Sequence, residues 1–243
     1  MMKLKDWEEL PKQMRTDAVR PYYDTIRTHA VGLAAKRLFD LIASLVLLAA
    51  LLPVFALLAI AIKLDSPGPV FFRQVRVTQY GKTFRIFKFR TMVQNADKMG
   101  AQVTAGADPR ITRVGRFIRA CRLDEICQLL NVLRGEMTFV GTRPEVPRFV
   151  EAYTPEMWAT LLLPAGITSE ASIRYKNEAQ LLSQAQNVDE VYVRQVLPDK
   201  MKYNLYAIRN FSFWFEICTM FRTLFAVLGM NYDDQIPEEN ESI

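Results

Sequence analysis

Apolar residues are unevenly spread along the chain. Residues 41–62 read LIASLVLLAALLPVFALLAIAI, 22 residues interrupted only by Ser44 and Pro53. As one straight helix they extend about 33 Å, enough to cross the hydrocarbon core of a bilayer. Pro53 lies near the middle, where it removes a backbone donor and crowds the carbonyl of Ala49. Each arm is then only about 11 residues, ~16 Å, too short to cross alone. Lys36 and Arg37 precede the stretch and Lys63, Arg73 and Arg76 follow it, so the flanking cations select no orientation. Two readings stay open. A straight span is slightly favoured on the residues alone, since Pro is tolerated in spanning helices; the other is a segment that enters and leaves by one face. A cleavable leader is excluded, because the stretch starts late and no small-x-small site follows it.

Other elements follow from shorter patterns. Residues 1–35 are polar and mixed, with Pro11 and Pro21 as punctuation, and predict short surface helices without chemistry. VFFRQVRVTQYGKTFRIFKFRTM, from Val70, places aromatic and β-branched residues on either side of Tyr80-Gly81 and predicts a β-hairpin. Arg113, Arg116, Arg119 and Arg122 recur every three residues and predict one side of a helical segment. Ile126, Leu129, Leu130 and Leu133 form a helical apolar stripe, with Gly135 suited to end it. Asp124 and Glu125 then occupy the first turn of a helix ending near Arg134, where the helix N-terminus favours ionised carboxylates. Residues 210–229, NFSFWFEICTMFRTLFAVLG, predict a helix that suits a packed core and a membrane interface about equally. Glu216 and Arg222 make a lipid-exposed crossing there costly. The acidic residues from 231 to 243 read as a disordered tail.

Charge changes this picture. Through Arg110 the 17 Lys and Arg outnumber nine Asp and Glu, whereas beyond it 17 acids outnumber 14 bases. Between Val70 and Arg122, 12 Lys and Arg face only Asp97 and Asp108, so an acidic partner belongs near this segment. A charge run is often a solvated face, and no nucleic-acid-binding module is recognisable. Three cysteines, Cys121, Cys127 and Cys218, lack the spacing of a zinc site or disulfide framework. The single histidine, His29, leaves little room for a His base or His-rich metal cage.

An adjacent Asp-Glu pair ordinarily does no more than complement a helix dipole. Here the pair is embedded among arginines, downstream of a membrane-type segment, and followed by Gly141-Thr142-Arg143-Pro144. Arginine forks suit diphosphates, and an anionic pair among them suits a divalent cation shared with phosphate.

The segments KRLFDLIASLVLLAALLP, SPGPVFFRQVRV, YGKTFRIFKFRTM, DPRITRVGRFIR, LDEICQLLNVLRGEMTFVGTRP and PAGIT, in this order between Lys36 and Val227, resemble the bacterial sugar transferases, the monotopic phosphoglycosyl transferase family. The resemblance implies a re-entrant membrane helix broken at Pro53, with both ends cytoplasmic, at the bacterial inner membrane. It implies transfer of a sugar 1-phosphate from a nucleotide diphosphate sugar, usually a UDP-sugar, to polyprenol phosphate. Asp124 would be the nucleophile and Glu125 its partner, with Mg²⁺ at the pair. Lys88, Arg90, Arg119, Arg143 and Pro144 fall where the family contacts phosphate and nucleotide. Some positions depart from the pattern. Leu52 stands for a common Ser before the proline, Arg122 for a capping Ser or Thr, and Cys127 and Thr142 for prolines. SEASIRYKNE follows PAGIT where many relatives have a GWAQVNGR-like run, so no role is carried past Thr168.

The expected fold is mainly α with a small β-hairpin, and a catalytic domain on the cytoplasmic face. The expected divisions are an N-terminal surface segment at 1–35, a re-entrant membrane helix at 36–64, a catalytic domain at 65–230 with a C-terminal interfacial helix, and the tail. The expected partners are the sugar donor, polyprenol phosphate and membrane lipid, without nucleic acid. Two rivals are a non-catalytic basic adaptor for anionic lipids and a single-span transferase using Asp124 and Glu125 only as metal ligands.

Overall fold

The structure, a computed structural model, describes residues 3–96, 99, 108–175 and 187–228. The residues read as an acidic tail lie outside these, as does SEASIRYKNE beyond Tyr175.

Val19, Tyr22, Tyr23 and Ile26 are spaced three and four apart, so helix α1 (Arg20–Thr28) presents them on one face. All four are buried, with Leu10 and Met14, against Phe149, Leu162, Leu197, Met201 and Phe211. The expectation of a surface segment at 1–35 is therefore corrected. The short helices exist, but a narrow apolar stripe among charged neighbours puts them into the largest core cluster.

The apolar stretch forms two helices, α2 (Ala30–Ala50) and α3 (Leu52–Asp65), bent by 60°. The bend falls at Leu51 (φ −87°, ψ 0°), ahead of the expected break at Pro53. Pro53 sits in the first turn of α3, where its missing N–H costs no intrahelical bond. No single helix among the described residues is long and apolar enough to cross a membrane, whereas the bent pair together has the length and composition. A straight helix through Pro53 is thus not what forms. Leu38, Ile42, Leu45, Val46, Leu57 and Ile60 are exposed on the pair, while Leu58 and Ile62 pack on Phe87, Phe89 and Ile118.

Along the opposite edge of α2 runs a buried polar stripe, Lys36, Asp40 and Ser44, at the helical spacing of four. Lys36 Nζ donates to both carboxylate oxygens of Glu216 at 2.7 Å and to the Val140 carbonyl at 2.8 Å. Asp40 accepts from Thr138 Oγ1 at 2.7 Å and from the Phe139 N–H at 3.2 Å. Arg37 donates to the carbonyls of Val132 and Leu133 at 2.7 and 3.0 Å.

The expected hairpin forms from β1 (Phe71–Val77) and β2 (Thr83–Phe89), antiparallel, with Phe71 opposite Phe89 and Val77 opposite Thr83. Tyr80 and Gly81 both take positive φ, 59° and 72°, to close the turn. Helix α4 (Arg113–Ala120) is capped by Thr112, and Asp65 Oδ2 at the end of α3 accepts from the Val114 N–H at 2.9 Å. Arg122 is not on the α4 face with the other arginines. It lies past the helix end at φ 56° and turns the chain into a 3-10 segment, Leu123–Gln128, that runs into α5 (Leu129–Arg134). Gly135, at φ 77°, ends α5 as expected.

A second, unexpected sheet pairs β3 (Met137–Val140) in parallel with β4 (Ala165–Thr168). The ladder continues from the Gly141 N–H to the Thr168 carbonyl and from the Gly166 N–H to the Thr142 carbonyl, which brings the GTRP and PAGIT sequences together. A Cβ on Gly166 would lie 2.2 Å from the backbone of Gly141, so only glycine permits this approach. The chain continues through α6 (Pro147–Val150), α7 (Glu170–Arg174), α8 (Val188–Val191), a π-helical turn at Tyr192–Val196, α9 (Leu197–Arg209) and α10 (Phe213–Val227). On α10 Glu216 and Thr219 are buried, while Trp214, Phe221, Leu224 and Val227 are exposed. One helix therefore combines a packed polar edge with an exposed apolar face.

Candidate active site

Four separate stretches of chain converge on one cavity of about 910 Å³. Lys88 comes from β2, Arg119 from α4, Asp124 and Glu125 from the 3-10 turn, and Arg143 and Pro144 from the segment after β3. Asn131 holds these parts in register. Its side chain accepts from the Phe87 N–H at 2.9 Å and donates to the Arg85 carbonyl at 3.1 Å and Glu136 Oε2 at 2.7 Å. That clamp fixes β2 against α5 and sets Lys88 beside Glu125.

The two adjacent carboxylates have opposite fates. Glu125 Oε1 accepts from Lys88 Nζ at 2.8 Å and from Arg143 Nη2, and Oε2 accepts from Arg143 Nη1 at 3.2 Å. Burial raises the Glu125 pKa, but Arg143 and Lys88 outweigh it and hold the carboxyl well below its ordinary value. Lys88 is pushed down by burial, with Glu125 opposing. The Asp124 carboxylate forms no ion pair among the described residues. Burial lifts its pKa, Lys88 opposes this, the Glu125 charge adds to it, and Arg119 opposes it. The net direction on Asp124 is therefore upward, opposite to the lowering expected at a helix end. Arg119 likewise forms no ion pair among the described residues while lining the cavity. Among the described residues Asp124 and Arg119 thus line the cavity without an ion pair, whereas Glu125 is paired with Lys88 and Arg143.

Arg90, expected at phosphate, has one guanidinium nitrogen tied to the end of α3. It borders the cavity, but its Nη2 donates to the Ser66 carbonyl at 2.6 Å and Ser66 Oγ at 3.0 Å, just past the end of α3. Pro144 contributes its carbonyl, which accepts from Arg76 Nη1 at 3.0 Å. Cys127, buried with its Sγ donating to the Asp124 carbonyl at 3.5 Å, has its thiol pushed up to about 12 by burial and is no rival nucleophile.

Among the described residues no group of three or more His, Cys, Asp or Glu is placed to hold a metal. Mg²⁺ more often binds one or two carboxylates plus substrate phosphates and water. Asp124 fits that mode. Glu125, already held by two cations, fits it poorly, so the donor set suits a metal shared with a diphosphate rather than a cage built by the pair.

Residues 31–230 match the family described as Bacterial sugar transferase. The chain belongs to that family. It is 36% identical over 79% of its length to a UDP-N-acetylgalactosamine-undecaprenyl-phosphate N-acetylgalactosaminephosphotransferase of Aeromonas hydrophila, covering 43% of that protein. It is 40% identical over 78% of its length to an undecaprenyl-phosphate glucose phosphotransferase of Komagataeibacter xylinus, covering 35% of it. A UDP-glucose:undecaprenyl-phosphate glucose-1-phosphate transferase of Caulobacter vibrioides is 37% identical and 69% covered. The chain thus spans less than half the length of the first two relatives.

For a bacterial sugar transferase, three features in or behind the cavity wall escaped sequence reasoning. Arg76 lines it; the hairpin register puts Arg76 and Lys88 on one face, so strand alternation carried the signal. Asn131 is a polar residue inside a buried apolar stripe, a pattern that calls for a partner. Glu145, Tyr192 and Lys200 also line the cavity, and no local pattern joins them.

Proposed function

We propose that this sugar transferase moves a sugar 1-phosphate from a UDP-sugar to a polyprenyl phosphate through a covalent aspartyl intermediate. The observation that carries the reading is the asymmetry of the acidic pair: Asp124 is open to the cavity beside Arg119, while Glu125 is held by Lys88 and Arg143.

The Asp124 carboxylate oxygen attacks the phosphorus that bears the sugar. The bond from that phosphorus to the nucleoside monophosphate breaks, and the monophosphate leaves. An oxygen of polyprenyl phosphate then attacks the aspartyl-phosphosugar, frees the carboxylate and yields a polyprenyl diphosphate sugar. A carboxylate nucleophile divides one difficult displacement into two and needs no histidine. Arg119 offsets charge on the diphosphate, and the Lys88–Glu125–Arg143 network keeps a fixed cationic wall beside it. Mg²⁺ held by Asp124 together with the diphosphate would supply further charge neutralisation.

The exposed apolar faces of α2, α3 and α10 support seating at the cytoplasmic face of the inner membrane, with the bent pair re-entrant and Trp214 at the headgroup level. Undecaprenyl phosphate in the names of relatives supports the acceptor.

Intact-protein mass spectrometry after mixing the full chain with UDP-sugar donors, without acceptor, tests the reading. Native protein and Glu125→Gln are expected to gain one phosphosugar, and Asp124→Asn none. An adduct on Asp124→Asn refutes the assignment of the nucleophile. Membrane binding that collapses with salt, with no adduct and no released monophosphate, favours the adaptor.

A further inference from the structure

Glu145, Tyr192 and Lys200 form a buried polar cluster on the wall of the catalytic cavity. Tyr192 Oη donates to Glu145 Oε1 at 2.5 Å and accepts from Lys200 Nζ at 3.0 Å, and Lys200 lies 3.9 Å from the same carboxylate oxygen. We propose that this cluster is the subsite that reads the hydroxyl pattern of the donor's sugar, an inference that rests on the transferase reading above.

Position supports this first. Glu145 is two residues past Arg143, so their Cα atoms are at most about 7 Å apart, and Arg143 grips Glu125 beside Asp124. Arg76 lies between the two groups: it bonds the Pro144 carbonyl at 3.0 Å and feels the charges of Glu145 and Tyr192 as well as those of Arg143 and Glu125. The sugar hangs from the phosphorus that Asp124 attacks, one ester link away, whereas the nucleoside is a further phosphate removed. A group flanking Arg143 on this cavity wall is therefore within reach of the sugar.

Chemistry supports it second. A carboxylate, an ammonium and a phenol offer acceptors and donors to neighbouring hydroxyls, and Phe149 lies against Tyr192 with ring centroids 4.8 Å apart, adding an apolar face to the same wall. Burying a Lys and a Glu is costly where hydrophobic side chains would serve folding as well. Tyr192 also opens a π-helical turn, a rare local form that is frequent at functional sites. Ser172 and Tyr175 on the same wall belong to the stretch after PAGIT where the sequence leaves the family pattern.

The test uses the full chain in lipid nanodiscs with polyprenyl phosphate, and UDP-glucose, UDP-galactose and their N-acetylated counterparts as donors. Released UMP gives kcat/KM for each donor, and product inhibition by UMP reports on the nucleotide side. Tyr192→Phe is expected to change the ratio between a preferred donor and its C4 epimer by about tenfold or more, since a site built to bond a hydroxyl discriminates strongly. The UMP inhibition constant is expected to stay within about twofold. Should Tyr192→Phe fail to fold, Lys200→Gln, which removes the ammonium that donates to Tyr192 Oη, carries the same comparison. Equal loss on all donors, or weakened UMP inhibition in parallel with the loss, overturns the subsite while leaving the transferase reading in place. A native chain that releases UMP from no donor overturns both.

Discussion

Lys36→Met measures how firmly α2 is fixed to the catalytic core. The substitution removes the ammonium that donates to both oxygens of Glu216 at 2.7 Å and leaves the carboxyl buried. Burial already pushes Glu216 up, with Lys36 the main opposing influence, so the variant should bury it protonated. Its ordinary value is 4.5. At about 1.4 kcal/mol per pH unit, holding it protonated at pH 7 costs at most about 3.4 kcal/mol. Loss of the bond to the Val140 carbonyl adds about 1 kcal/mol, and the total matches the 3–5 kcal/mol typical of a broken buried pair. A chain of this size loses about 2–4 °C per kcal/mol, so Tm should fall by ~9–18 °C at pH 7. The sign with pH is fixed. A carboxyl raised in the folded state destabilises above its unfolded value, so the penalty nearly vanishes at pH 4.5 and grows as pH rises. Thermal unfolding in detergent at pH 5 and pH 7 reads this directly, with Lys36→Met/Glu216→Leu expected to recover most of the loss. A pH-independent deficit, or a Tm within 2 °C of native at pH 7, refutes the argument.

Arg119→Ala should lower kcat/KM by roughly 10- to 100-fold with an unchanged melting curve, because its guanidinium forms no ion pair among the described residues. Arg143→Ala should lower activity and also loosen Glu125, and unfolding curves beside UMP-release kinetics separate the two cases. Gly166→Ala should cost about 3 kcal/mol or more, since its Cβ would lie 2.2 Å from backbone atoms of Gly141; a soluble variant with native Tm would contradict that contact. For topology, single cysteines introduced at Val31 and Gly68 should both be protected from an impermeant reagent added outside intact cells. Labelling of one with protection of the other restores a crossing segment.

The sequence disclosed elements with strong local signals. The hairpin followed from apolar runs around Tyr80-Gly81, and α5 from its stripe and Gly135. It also disclosed the acidic pair, although the role proposed for Asp124 came through family resemblance. The distinction between Asp124 and Glu125 was hidden, because Glu125 is held by Lys88, 37 residues earlier, and Arg143, 18 residues later. Strands β3 and β4 have four residues each, too few to carry a period. Arg90 follows Lys88 by two residues and looks like a second phosphate ligand. Strand β2 ends at Phe89, however, and Arg90 both borders the cavity and ties its Nη2 to Ser66 past the end of α3.

Both ends of the bent pair finish on elements that carry or adjoin cavity-lining residues. Arg37, near its start, closes the last carbonyls of α5, and Asp65, at its end, bonds the first turn of α4. Such a linkage has little slack. With the pair embedded as proposed, any change in its tilt displaces the helix carrying Arg119 against the turn carrying Asp124. On that proposal turnover is expected to change with acyl-chain length in nanodiscs, a mechanical variable that no side chain in the cavity contacts.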